Sequence, residues 1–212
     1  MKFFALVLSS LLLAACGGGD NPIVVATPVK SLNAIFPHPV RSASVVAGSP
    51  EIALHAYQAL YGQAPGYAQL NSYRIQIASS DAFTWANGIA TPFNGMSDSD
   101  FSTLILNNIS VTATSLTTTP LFGTGRQAYE ALQAALADYL KAAGLANRGT
   151  VVVQLAEIIS NLEIDTTFGV YGAAAASFNK QVSANLSYST NAANAVASVV
   201  IPPMFETPPL PL

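Results

Sequence analysis

The sequence predicts an all-α domain, a single bundle-like unit of about seven helices, with an irregular Pro/Gly-rich segment before it and a Pro-rich tail after it. Three observations lead there. Apolar residues recur at three- and four-residue spacing through most of residues 49–190, the period of an amphipathic helix. No long run alternates apolar with polar, so no half-buried strand is indicated. Helix start and stop residues punctuate the apolar stripes at short intervals, which favours helices folded back on one another.

The first helix opens at Ser49-Pro50-Glu51. Serine suits an N-cap, proline the first helical position, and glutamate the positive helix start. Ile52, Ala56 and Ala59–Leu60 carry its stripe to Gly62, and Gln63-Ala64-Pro65-Gly66 is a turn. Leu70, Tyr73 and Ile77 mark a second helix. Asp81 caps a third, with Ala82, Trp85–Ala86 and Ile89 on one face. Pro92-Phe93-Asn94-Gly95 interrupts the chain. Ser97, followed by Asp98 and Asp100, opens a fourth helix with Phe101, Leu104 and Ile105.

Residues 110–125 are rich in Thr and β-branched side chains. Val111-Thr112-Ala113-Thr114 could extend, but with no partner strand its backbone groups would go unpaired, so a loop is expected. The clearest helix spans about Arg126 to Ala143, striped by Tyr129, Leu132, Leu136 and Leu140. Asp138 is placed to pair with Lys141, and Gly144 ends the helix. Thr150 is expected to cap the next helix, with Val151, Leu155, Ile158 and Leu162. A last helix covers about Gly172 to Tyr188, with Phe178, Val182 and Leu186. Five prolines between 202 and 211 exclude helix and central strand. The divisions are therefore 1–15, 16–48, 49–190 and 191–212.

At the start of the chain, Lys2 precedes an apolar run from Phe3 to Ala15, and Leu13-Ala14-Ala15 leads into Cys16, the only cysteine. Charged start, apolar middle and small-residue stop describe a secretory signal peptide. The run is shorter than the ~20 residues a spanning helix needs, and Cys-Gly-Gly-Gly-Asp follows it, not a basic cluster. Leu13-Ala14-Ala15-Cys16 resembles the lipobox of bacterial lipoproteins. The resemblance implies cleavage before Cys16, a diacylglyceryl thioether on its sulfur and a fatty acid such as palmitate on its new amino group. Gly17 in place of aspartate implies sorting to the outer membrane. The implied partner is the membrane, reached through the lipid on Cys16. Several acyl chains on one residue hold far more firmly than one. Gly17 to Ser49, opening with three glycines and holding Pro22, Pro28, Pro37 and Pro39, reads as a tether.

A second resemblance rests on Ala56-Tyr57-Gln58-Ala59-Leu60-Tyr61-Gly62-Gln63-Ala64-Pro65-Gly66. It resembles the opening motif of a bacterial helical domain of unknown function found in secreted calcium-binding repeat proteins and surface-layer proteins. Gln63 stands where that family carries arginine, and Tyr73 lies near its usual tryptophan. The resemblance implies a helical fold and supplies no catalytic residue.

Composition narrows function by exclusion. Charged residues are 9% of the chain and the net charge is −3, becoming more acidic once Lys2 is removed, so nucleic acid is not an expected partner. With Cys16 acylated, no thiol remains for a disulfide or for catalysis. His38, between Pro37 and Pro39, reads as an exposed tether residue, and His55 as a half-buried, hydrogen-bonded histidine bordering the first helix stripe. Two distant histidines do not make a zinc site. Asp98-Ser99-Asp100 lacks the ligand series of a calcium loop and reads as a helix start. Glu157, Asn161, Glu163 and Asp165 read as a solvated face, although acids at a helix C-terminus oppose its dipole. Gly123-Thr124-Gly125 lacks the lysine of a phosphate loop, and no Gly-x-Ser-x-Gly elbow exists.

No catalytic constellation, cofactor or metal is therefore expected. The functional expectation is a non-enzymatic interaction or scaffold module contacting another envelope component, protein or glycan. The alternative is a saccharide- or small-ligand-binding module with an aromatic-lined pocket between helices, for which Tyr57, Tyr61, Tyr73 and Trp85 are the contact candidates.

Overall fold

The structure, a computed structural model, describes residues 50–119, 123–164 and 169–198. Cys16, His38, the Ser49 cap, Asp165 and the prolines from 202 onward lie outside the described residues. Within them the fold is all-α, with seven α-helices and no strand; the one β-bridge joins Thr119 to Gly123. The helices are α1 (Pro50–Tyr61), α2 (Tyr67–Ser79), α3 (Ala82–Ala90), α4 (Asp98–Asn108), α5 (Gly125–Ala143), α6 (Arg148–Asn161) and α7 (Gly172–Ser189).

The bundle is built around α1. Every residue from Ile52 to Leu60 is buried, not only the predicted stripe. A helix enclosed on all sides must be apolar or have its polar groups paired. Here α1 packs against α4, α6 and α7, with α2 and α3 covering the rest. Two buried residues of this stretch are polar, His55 and Gln58. Gln58 is satisfied: Nε2 donates to the Asn108 carbonyl at 2.9 Å and to Gln181 Oε1 at 3.1 Å, and Oε1 accepts from Asn185 Nδ2 at 2.6 Å. Gly62 ends α1 with φ +65°, a left-handed conformation that a side chain would strain.

Local chemistry sets most of the helix ends. Asp81 Oδ1 accepts from the amides of Phe83 and Thr84, and its Oδ2 accepts from Thr84 Oγ1, which together hold its carboxyl below the ordinary range. Ser97 Oγ accepts from the Asp100 amide and donates to the Asp100 carboxylate. Thr124 and Gln127 form a reciprocal capping box at the start of α5. Gly144 closes α5 with φ +76°.

Two expectations need correction. Thr150 does not cap α6. A 3₁₀ turn over Leu145–Asn147 brings the chain into helix three residues early, at Arg148, and Asn147 at the cap makes no side-chain capping bond. Thr150 sits inside the first turn, where its amide donates to Asn87 Oδ1 at 2.8 Å. Along α5, Asp138 and Lys141 are both exposed and form no ion pair; the pair on that helix joins Arg126 to Glu130 at 2.8 Å. Residues 110–119 are a loop, as expected. Val111 is buried and its amide donates to the Leu106 carbonyl, while Thr112 and Ser115 bond one another reciprocally.

Residues 191–198, the start of the predicted tail, fold back onto the α1–α2 turn. The Tyr67 amide donates to the Asn194 carbonyl, the Ser198 amide donates to the Ala64 carbonyl, and the Ala64 amide donates to Ser198 Oγ. Ser189 Oγ donates to the Pro65 carbonyl at 2.7 Å.

Candidate functional site

Four candidate residues come from three helices, and the fold assembles all of them. Tyr57 and Tyr61, one turn apart on α1, stack at 4.5 Å between centroids. Tyr73 of α2 lies 5.8 Å from Tyr57 and meets Trp85 of α3 edge-on at 5.1 Å. The row continues through residues the sequence reading left to the core or to a turn. Tyr61 meets Phe93 edge-on at 5.2 Å, and Phe93 lies 5.7 Å from Phe101 of α4. The Arg148 guanidinium sits over the Phe101 ring, 4.8 Å from its centre. Six rings and a cation thus run in unbroken contact across α1 to α4 and the start of α6.

Most of this row is interior. Tyr57 and Trp85 are each 4% exposed, whereas Tyr61 and Tyr73 are half-buried. Burial, reinforced by the neighbouring Tyr57, pushes the Tyr73 hydroxyl up to about 12, although Gln69, which donates to it at 2.6 Å, opposes the shift. The Tyr61 hydroxyl is raised for the same reasons and donates to the Ile89 carbonyl at 2.8 Å. Both phenols are therefore neutral hydrogen-bonding groups at physiological pH. Such rings offer apolar faces and polar tips, not acid–base chemistry.

Trp85 lines a depression. A shallow groove of about 300 Å³ between the end of α2 and α3 is lined by Gln76, Ser79, Ser80, Thr84, Trp85, Gly88 and Ile89. The Trp85 indole N–H is buried without a hydrogen-bond partner. The groove thus combines one aromatic wall with hydroxyl and amide groups.

Arg148 is the residue that the sequence reading missed. It is 1% exposed; Nη1 donates to the Phe93 carbonyl at 2.6 Å, and Nη2 donates to the Met96 carbonyl at 2.9 Å and to Asp98 Oδ1 at 2.8 Å. It fixes the turn after α3 and holds Phe93 in the aromatic row. Its partners lie 50 to 55 residues earlier, so no local pattern marks it.

The other candidates resolve into structural roles. His55 is buried with its ring 5.5 Å from Phe178, and no hydrogen bond to it is seen among the described residues, so the expected half-buried, hydrogen-bonded histidine is instead an apolar contact. Desolvation holds it below its usual value, against the opposing charge of Glu51. Glu157 is raised by burial first and by Glu51 second. Glu163 is exposed and accepts from Asn179 Nδ2 of α7 at 2.7 Å, which offsets its unfavourable place beyond α6. Gly125 of the Gly-Thr-Gly stretch lies under the loop: a side chain there would meet the Leu116 and Ala113 carbonyls at 2.2 and 2.8 Å. Among the described residues no cluster of three or more His, Cys, Asp or Glu could hold a metal, and no helix is long and apolar enough to cross a membrane.

No family model, curated protein or solved structure matches this chain. What it does must be argued from its own residues.

Proposed function

We propose that the protein is a bacterial lipoprotein of the outer membrane whose helical domain serves as a non-enzymatic interaction module, contacting another component of the envelope. One observation carries the reading: Leu13-Ala14-Ala15-Cys16 closes an apolar run that follows Lys2, and it holds the chain's single cysteine. Composition supports it. A surface in which serine, threonine, asparagine and glutamine replace most charges suits contact with neutral polar partners. The aromatic row supports a rigid scaffold, since its phenols are locked by packing and held neutral.

The test begins with the anchor. Cells making the full chain incorporate a clickable fatty acid into the mature product, and Cys16→Ser abolishes both labelling and recovery in the membrane fraction. An unlabelled wild-type product, or one that retains residues 1–15 by mass, overturns the lipoprotein reading. Cross-linking on intact cells, with recovery of an envelope protein or glycan, tests the interaction.

The Trp85 groove supports a second reading, a saccharide site with a sugar ring packed beside the indole and hydroxyls met by Ser79, Ser80, Thr84 and Gln76. Envelope glycans would then change the fluorescence of Trp85, the only tryptophan. No change with any of them removes this reading and leaves the first standing.

A further inference from the structure

Two asparagine–glycine pairs occur in the chain, Asn87-Gly88 and Asn94-Gly95, and the fold treats them differently. The dipeptide is chemically reactive. With no Cβ on the second residue, its amide nitrogen can reach the asparagine side-chain carbon and close a five-membered ring. Asn87 is held back from this. It lies inside α3, whose geometry directs the Gly88 amide to the carbonyl four residues earlier. Both ends of its side chain are engaged: Oδ1 accepts from the Thr150 amide at 2.8 Å, and Nδ2 donates to Thr150 Oγ1 at 3.1 Å. Asn94 lacks these restraints. It sits in the turn between a 3₁₀ segment, Thr91–Phe93, and α4. No hydrogen bond from the Gly95 amide or to the Asn94 side chain is seen among the described residues, and Asn94 Oδ1 is buried without a partner. An unsatisfied buried acceptor weakens the arrangement that holds it. Gly95 is exposed, with nothing within 4 Å of where a Cβ would lie, so the turn has room to rotate.

We propose that Asn94-Gly95 is a self-modification site, converting the asparagine to aspartate and isoaspartate, and that the isoaspartyl form releases Arg148. The Asn94 ψ of −18° must first rotate so that the Gly95 nitrogen meets Cγ. That nitrogen gives its proton to solvent base and bonds to Cγ, while the Cγ–Nδ2 bond breaks and ammonia leaves. Water then opens the cyclic imide. Attack at Cγ gives aspartate. Attack at the backbone carbonyl gives isoaspartate, whose main chain runs through Cβ and Cγ and is one carbon longer. Both products add a negative charge. Position gives the second product its effect. Asn94 and Gly95 lie between the two carbonyls that hold the buried guanidinium: Phe93 accepts from Nη1 at 2.6 Å, and Met96 accepts from Nη2 at 2.9 Å. An extra backbone carbon between them breaks that spacing, and the Asp98 carboxylate alone cannot satisfy an arginine that is 1% exposed.

Incubation of the full chain at mildly alkaline pH, followed by chymotrypsin digestion and mass spectrometry, tests this. Cleavage after Trp85, Phe93 and Phe101 puts the two pairs on separate peptides. The peptide from Asn94 to Phe101 is expected to gain about one mass unit and split into two chromatographic forms, roughly tenfold or more faster than the peptide carrying Asn87, which reacts only when α3 opens. In denaturing urea the two rates are expected to converge. No gain at Asn94, an equal rate at Asn87 in the folded protein, or a preference for Asn94 that survives in urea overturns the proposal. The converted protein, isolated by ion exchange, is then compared with Asn94→Asp, which carries the new charge on an unaltered backbone. Trp85 fluorescence is expected to show the converted protein unfolding at lower urea than this variant, and an equal midpoint overturns the effect assigned to Arg148.

Discussion

A guanidinium buried as deeply as that of Arg148 is stable only with its donors engaged and its charge answered. Two carbonyls, the Asp98 carboxylate and the Phe101 ring meet those needs, although its Nε has no partner. Arg148→Met removes the donors from the Phe93 and Met96 carbonyls and leaves Asp98 without its counter-charge, which costs about 3–5 kcal/mol. Arg148→Lys recovers little, because an ammonium cannot fork to separate acceptors while lying flat on a ring. Urea unfolding followed by Trp85 fluorescence measures both. His55 gives a prediction of a different kind. Its folded-state value is depressed, so its contribution to stability is intact above 6.5 and declines as pH falls below that. Glu157 is raised from 4.5, so it weakens the fold as pH rises above 4.5. His55→Phe should therefore stabilise the protein at pH 5 more than at pH 8, and Glu157→Gln should stabilise it at pH 8 more than at pH 4. Thermal midpoints across that range decide; identical pH profiles for wild type and both variants would refute the assignment.

At the scale of the element, close approach and conformational freedom separate two glycines that look alike in sequence. Gly149 begins α6 against the backbone of α3, and a Cβ there would lie 2.1 Å from the carbonyl group of Ala86. The obstacle is backbone, so the two helices must move apart, and Gly149→Ala should cost about 3 kcal/mol or more. Gly88, exposed on α3, has nothing within 4 Å of the same position, so Gly88→Ala should stabilise by about 0.5–1 kcal/mol through helix propensity alone. Chemical denaturation of the two variants should give opposite signs. The same contrast explains what could be read from the sequence. Helix stripes and caps are local: Leu132, Leu136 and Leu140, or Asp81 two and three residues before the amides it accepts from, declare themselves within one or two turns. The start of α6 does not, because the 3₁₀ turn at Leu145 depends on the left-handed Gly144 and on Arg148 reaching distant carbonyls. The enclosure of α1 on all sides was likewise hidden, since Gln58 is tolerated inside only through partners on α4 and α7.

For the whole molecule, the question is whether the aromatic residues serve the fold or a ligand. Their proximity was legible, because Tyr57 and Tyr61 share a helix face and Tyr73 and Trp85 follow on the next two helices. Their burial was not, because it depends on Phe93 being drawn in by Arg148 and on α2 closing over α1. Tyr73 is the ring on which the two answers diverge. It is half-buried and touches both Trp85 and Tyr57, so it links α2 to α3 and α1. If the row is structural, Tyr73→Ala removes two ring contacts and opens a gap, costing about 2–4 kcal/mol. Its effect should then be non-additive with Trp85→Phe by about 0.5–1.5 kcal/mol, since the two rings meet directly. If the row is a ligand surface, Tyr73→Ala leaves stability nearly unchanged and no coupling appears. Equilibrium denaturation of the two single variants and the double variant, followed by circular dichroism, separates these outcomes, and the 5.1 Å edge-on contact with an indole 4% exposed favours the first.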